Sequence, residues 1–127
     1  MTVAKALQLQ QAVYATVAAA SGLTVYDHVP TDPPEEHIRI DGFNLVDDST
    51  KNGERGRHSF MVHHFLRPGL GAAQRGMKRG KEKIAAIHAA LMASSPAGGT
   101  LDHEEMGAAP DMDGATAHVW SRYSVIL

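Results

Sequence analysis

The chain has 127 residues, 43% of them apolar, with a formal net charge of −2 and no cysteine. That is enough for one hydrophobic core without staples, and it excludes disulfides, thiolate metal sites and cysteine nucleophiles. No run of about eighteen apolar residues is present to span a membrane, and the near-neutral charge favours no class of partner.

Val3 to Ser21 reads as a first helix. Ala6, Leu9, Val13, Val17 and Ala20 recur at spacings of three or four and make a narrow stripe of small residues suited to lying flat on a sheet. The segment from Leu7 to Val17 is broken by Gln8, Gln10 and Gln11, which is an amphipathic pattern and not a secretory signal. Gly22 is a natural stop. Leu23 to Tyr26 is a short strand, and Asp27 to Pro34, with three prolines, is a loop.

Next, His37-Ile38-Arg39-Ile40-Asp41 alternates like a strand with one buried face. A second strand, His58 to Arg67, puts Phe60, Val62, His64 and Leu66 on one face and Ser59, Met61, His63 and Phe65 on the other. Asp47 to Gly56, between them, contains no aliphatic or aromatic residue. It has nothing to bury, so the finger at about 46–57 is expected to be flexible or to order against a partner.

Pro68-Gly69-Leu70-Gly71 breaks the chain, and a second helix follows from about Ala72 to Ala93. Met77, Ile84, Ile87, His88 and Leu91 share one face. Arg75, Lys78, Arg79 and Lys83 point the other way, with Lys81 on the flank. Six basic residues and one acid, Glu82, lie between Arg67 and Lys83. Gly76 and Gly80 weaken the first half of this helix. Thr100 to Met106 is a marginal strand, Pro110 to Gly114 a turn, and Ala117 to Leu127 an alternating strand with apolar groups on both faces. The expected fold is α+β, in the order α-β-β-β-α-β-β. A mostly antiparallel sheet of four to five strands carries two helices on one face.

Eight histidines invite a metal, but no ligand spacing matches a zinc motif, and His63 and His64 point to opposite faces of their strand. The acid pairs Glu35-Glu36, Asp47-Asp48 and Glu104-Glu105 diverge on extended chain and serve better as solvated charges that protect sheet edges. Ser59 and Ser121 lack a nucleophile-elbow context, and the glycines at 69, 71, 76 and 80 do not cradle phosphate. No catalytic residue, cofactor or metal site is expected. The basic helix face is either a contact for phosphates or an acidic protein, or a solvated surface. Aromatic residues to stack on bases are missing from it.

In sequence order, Leu9 to Ala15, Val25 to Pro30, Asp48-Ser49-Thr50-Lys51 with the glycines after it, Val62 to Arg67, the Lys81–Leu91 helix and Arg122-Tyr123-Ser124-Val125 together resemble the tail terminator (tail-completion) family of long-tailed bacteriophages, prophages and gene transfer agents. The chain departs from that pattern at His64, more often aliphatic, and Phe65, often tryptophan. A core-facing histidine must find a partner or stay partly exposed. The resemblance implies a non-enzymatic virion protein at the tail–neck junction of a phage-like particle, assembled in the host cytoplasm. It implies a homohexameric ring that caps the tail tube, stops its polymerisation and presents a surface to a head-side connector, with DNA only passing through the lumen. On that basis the candidate partner contacts are Asp47, Asp48, Lys51, Glu54, Arg55 and Arg57 on the finger, and Arg75, Lys78, Arg79 and Lys83 on the second helix. The alternatives are another head–tail joining protein or a nucleic-acid-binding module using helix residues 75–83.

Overall fold

The computed structural model describes residues 3–67 and 73–127, with the side chains of 73–75 outside that description. The expected break at Pro68–Gly71 falls outside the described residues. Two helices, five strands and a short 3-10 turn follow in the order α1 (Val3–Ser21), β1 (Val25–Tyr26), β2 (Glu36–Asp47), β3 (Gly56–Leu66), α2 (Ala73–Ser94), the 3-10 turn (Pro96–Gly98), β4 (Asp102–Pro110) and β5 (Ala117–Ile126). The sheet order is β1-β2-β3-β5-β4. All neighbouring pairs are antiparallel except β1 with β2, where Val25 and Tyr26 sit beside Ile38 and Arg39. The proline loop 27–35 carries the chain back for that parallel pairing.

Register explains the two faces. Residues directly opposite on paired strands point the same way. Ile38, His64 and Val119 form one row across the sheet, and Ile40, Val62 and Ser121 the next. These side chains are buried beneath α1 and α2, where they meet Leu9, Val13 and Val17 from α1 and Ile84, Ile87 and Leu91 from α2. Each fully buried aliphatic side chain of this kind contributes about 1.5–3 kcal/mol. Helix α1 ends as its sequence requires. Gly22 takes φ 66° and its N–H donates to the Ala18 carbonyl, the left-handed cap that glycine adopts without strain.

Three features differ from the expectation. Strand β2 runs on to Asp47 instead of stopping at Asp41, because a bulge absorbs the glycine. Asp41 pairs with Met61 and Asn44 with Ser59, leaving Gly42 and Phe43 opposite a single residue, with Gly42 at φ 68°. This left-handed glycine is the lead position of a common bulge type. The extra residue lets Phe43 stack between Tyr14 and Phe60, at ring-centroid distances of 6.3 and 5.5 Å. Strand β4 starts later and runs longer than Thr100–Met106, reaching Pro110 with a second irregularity between His103 and Glu105.

The third difference concerns the glycines of α2. Gly76 and Gly80 are buried within the helix. A Cβ on Gly80 would stand 2.6 Å from Val119 Cγ2 and 3.0 Å from His64 Nδ1. The glycine lets the helix backbone come down onto β3 and β5, which offsets its weak helix propensity.

Candidate interaction surfaces

The finger is short. Strands β2 and β3 claim its outer residues, so only 48–55 lie between them. Its backbone is bridged: Asp48 N–H donates to the Arg55 carbonyl at 3.0 Å, and Thr50 and Gly53 exchange bonds across the tip. Ser49 ties the base together, donating from Oγ to Asp47 Oδ1 and accepting from Arg55 N–H at 3.1 Å. These bonds to Ser49 hold the Asp47 carboxyl below the usual carboxylate range. Asp48 and Arg55 form an exposed ion pair at 3.7 Å, and Arg57 reaches Glu104 of β4 at 4.0 Å. Lys51 and Glu54 are exposed on the tip.

The basic residues of α2 have more varied surroundings than the helical wheel suggests. Lys78, Arg79 and Lys81 are exposed. The side chain of Arg75 lies outside the described residues. Lys83, expected to face outward, is half-buried and donates from Nζ to the Ser21 carbonyl at 2.9 Å. The end of α1 leaves carbonyls without helical partners, and a cation beside them is favourable. Arg79 grips Glu36, the first residue of β2, through Nε and through Nη2 at 2.8 Å.

Glu36 also solves the problem of His64. This histidine is fully buried, and its Nε2–H donates to Glu36 Oε2 at 3.0 Å. Hydrogen bonding from Arg79 is the main cause that keeps the Glu36 carboxyl below its ordinary value, despite partial burial. Desolvation pushes His64 below the usual 6.5 and outweighs its carboxylate neighbour. His64 is therefore neutral, with its proton on Nε2. Its Nδ1 is buried without a partner, facing the place where Gly80 has no side chain.

On the helix-free face, strand pairing gathers residues that lie far apart in sequence. The row His37, Phe65 and His118 lies beside the row Arg39, His63 and Trp120. The Phe65 and His118 rings stack at 4.5 Å, His63 and His118 at 5.0 Å, and the Arg39 guanidinium lies 5.5 Å from the Phe65 centroid. Burial holds both His63 and His118 below the usual imidazole value. Spacing along the chain hid this cluster. The alternation of His37, Arg39, His63, Phe65, His118 and Trp120 was visible, but only the register brings the three strands side by side.

Elsewhere, His103 Nε2 and Ser121 Oγ lie 2.7 Å apart, and the Tyr123 hydroxyl lies 3.0 Å from His88 Nδ1. Ser121 and Tyr123 are buried beneath α2; the His88 contact holds that helix to the sheet, whereas the His103 contact joins β4 to β5. Among the described residues, no group of three or more His, Asp or Glu is arranged to hold a metal ion.

The two charged surfaces fall at opposite ends of the strands. The finger joins Asp47 of β2 to Gly56 of β3, whereas Arg79 is anchored at Glu36, which pairs with Leu66. Ten residue steps of β3 separate those ends, about 34 Å at the usual strand rise.

The sequence matches the model of the tail completion protein gp17 family over residues 1–127. The chain belongs to that family and is a structural component of the virion tail. Its fold is also that of a chain in the virion of a native gene transfer agent particle, at 24% identity and TM-score 0.75 over 98% of each chain. A second solved structure matches at 18% identity and TM-score 0.51, over 94% of this chain and 91% of the other. No curated protein sequence matches the chain.

Proposed function

We propose that the protein acts as a tail terminator. Copies assemble head-to-tail into a closed homohexameric ring that docks on the finished end of the tail tube, halts tube polymerisation and offers its other side to a head-side connector. The role is structural, not catalytic, and DNA meets the ring only in passing through its lumen.

The observation that carries this reading is the separation of the two charged surfaces to opposite ends of the sheet. A ring placed between two different partners needs two different axial surfaces, and heterologous contacts around the ring must close. The finger supplies one end, with Asp48, Lys51, Glu54 and Arg55 as contacts and Asp47 and Arg57 at its base. Lys78 and the exposed flank of Arg79 supply the other. A finger that adjusts its tip on docking would let the ring recognise a completed tube end. The internal engagement of Arg79 and Lys83 counts against the helix as a nucleic-acid surface.

Deletion of the chain from its source particle, followed by electron microscopy, tests this function. Overlong or ragged tubes without heads are expected. Tubes of normal length that fail to join filled heads would move the protein to the joining step. In a second variant, residues 48–55 are replaced by a two-residue turn. Normal capping by that variant would remove the finger from the mechanism.

A further inference from the structure

The helix-free face holds a chain of four titratable groups that is one proton short. Asp41 Oδ1 lies 2.8 Å from His63 Nε2, and His63 Nδ1 lies 2.8 Å from His118 Nε2. His118 Nδ1 stands 3.5 Å from Asp111 Oδ1. Each of the three links needs one hydrogen between two electronegative atoms. Two neutral imidazoles bring one N–H each, and the ionised carboxylates bring none.

The partners of each nitrogen assign those two protons. Asp41 is ion-paired with Arg39 at 2.9 Å, so it accepts, and a bare His63 Nε2 at 2.8 Å would repel it. His63 thus donates from Nε2 to Asp41, and His118 donates from Nε2 to His63 Nδ1. That leaves His118 Nδ1 without a proton, facing the Asp111 carboxylate across the one long link.

We propose that these residues form a proton-operated latch: uptake of a single proton at His118 Nδ1 closes the third link and draws Asp111, with the β4–β5 turn, onto the face of the sheet. Asp111 opens that turn, accepting from Gly114 N–H and donating its own N–H to the Thr116 carbonyl, both at 2.9 Å. The turn carries Met112, a fully exposed apolar side chain. It also lies at the Leu66 end of the strands, where Glu36 and Arg79 are found, because Ala117 pairs with both Leu66 and Pro110.

The charged and titratable neighbours agree with single loading. Strand β2 contributes Arg39 and Asp41, β3 contributes His63, and the turn contributes Asp111. On β4, Glu105 is engaged by Trp120 Nε1–H at 3.0 Å. Both helices pack on the other face. A proton on one imidazole opposes a second on its stacked neighbour, and burial delays the first until the pH is below the ordinary imidazole range.

The latch is a property of the single subunit and stands whether or not the ring reading holds. The test is a 15N and 13C NMR titration of the histidine rings in the full chain, from about pH 8 to about 4.5. The expected result is one proton taken up by the His63–His118 pair, entering at His118 Nδ1, with amide protection in the turn, after correction for the intrinsic slowing of exchange in acid, rising as it enters. Asp111→Asn should lower the midpoint by about one pH unit, the usual effect of removing an adjacent carboxylate, and abolish the change in the turn. Two independent titrations, an unshifted midpoint in the variant, or a turn whose exchange ignores the titration would each overturn the latch. Should Asp111→Asn disturb the fold, the wild-type proton count and turn exchange still decide the matter.

Discussion

Substituting Gly80 by alanine separates helix propensity from packing, because the two predict opposite signs. In an ordinary helix interior the change would stabilise by about 1 kcal/mol. Here the new methyl would meet Val119 Cγ2 at 2.6 Å and His64 Nδ1 at 3.0 Å. Neither neighbour yields easily: Val119 is a buried, β-branched side chain with few rotamers, and His64 is fully buried and tied to Glu36. Overpacking of this kind costs about 1–3 kcal/mol, towards the upper end against stiff groups. The net effect is a loss of about 1–2 kcal/mol, or about 4–8 °C in Tm for a domain of this size. Urea and thermal unfolding of Gly80→Ala would measure it. Repeating the change in a Val119→Ala background should shrink the loss, since the obstructing methyls are gone while His64 Nδ1 still stands at 3.0 Å. A rise in Tm for Gly80→Ala alone would refute the close approach of α2 to the sheet.

Acid sensitivity is the second expectation. His58, His63, His64, His88 and His118 are all held below the usual 6.5, chiefly by burial. The unfolded chain binds their protons more readily, so their contribution is complete above pH 6.5 and is lost as pH falls towards the depressed values. The urea midpoint should therefore drop between about pH 7 and 5, each tenfold weakening of proton affinity at one histidine being worth about 1.4 kcal/mol; a flat profile would contradict the burial. Glu36 acts lower down, its contribution complete above the ordinary carboxylate value and lost progressively as pH falls from there through its depressed one. Lys83→Met should cost about 1 kcal/mol by stripping the Ser21 carbonyl of its cation and leave tail capping intact, whereas Lys78→Glu should impair assembly at normal stability. Gly107→Ala would drive a methyl into the indole of Trp120, the chain's one tryptophan. Its fluorescence should shift, at a cost of about 1 kcal/mol because that ring is only half-buried.

Much of the fold was legible because local pattern and tertiary burial agree. The Leu9, Val13, Val17 stripe ended by Gly22 fixed α1, and the alternation from Ala117 onward fixed β5. The order of elements followed from such segments. Strand β2 was cut short because Gly42 and the polar residues after it look like a loop, although a glycine inside a strand pattern also signals a bulge. Strand β4 was hard to place for a different reason. Asp102 to Met106 are exposed on both faces, and without a buried face there is no alternation to read. The parallel β1–β2 pair rests on a two-residue strand, far below what periodicity can detect.

The interaction surfaces were less legible, because a charge run does not reveal whether its partner lies within the chain. Arg79 and Lys83 carry the same periodic signal as Lys78. Yet one is spent on Glu36 and the other on the end of α1, through contacts 43 and 62 residues away in sequence. The histidines show the converse. Scattered from 28 to 118, they formed no motif, and pairing across β2, β3 and β5 brings His63 and His118 into line with Asp41 and with Asp111 of the adjoining turn. Intrachain pairing thus decides which charges remain for assembly. A subunit that spends its central charges on its own fold keeps its two ends chemically different, and that difference is what the proposed ring needs to meet a tube on one side and a connector on the other.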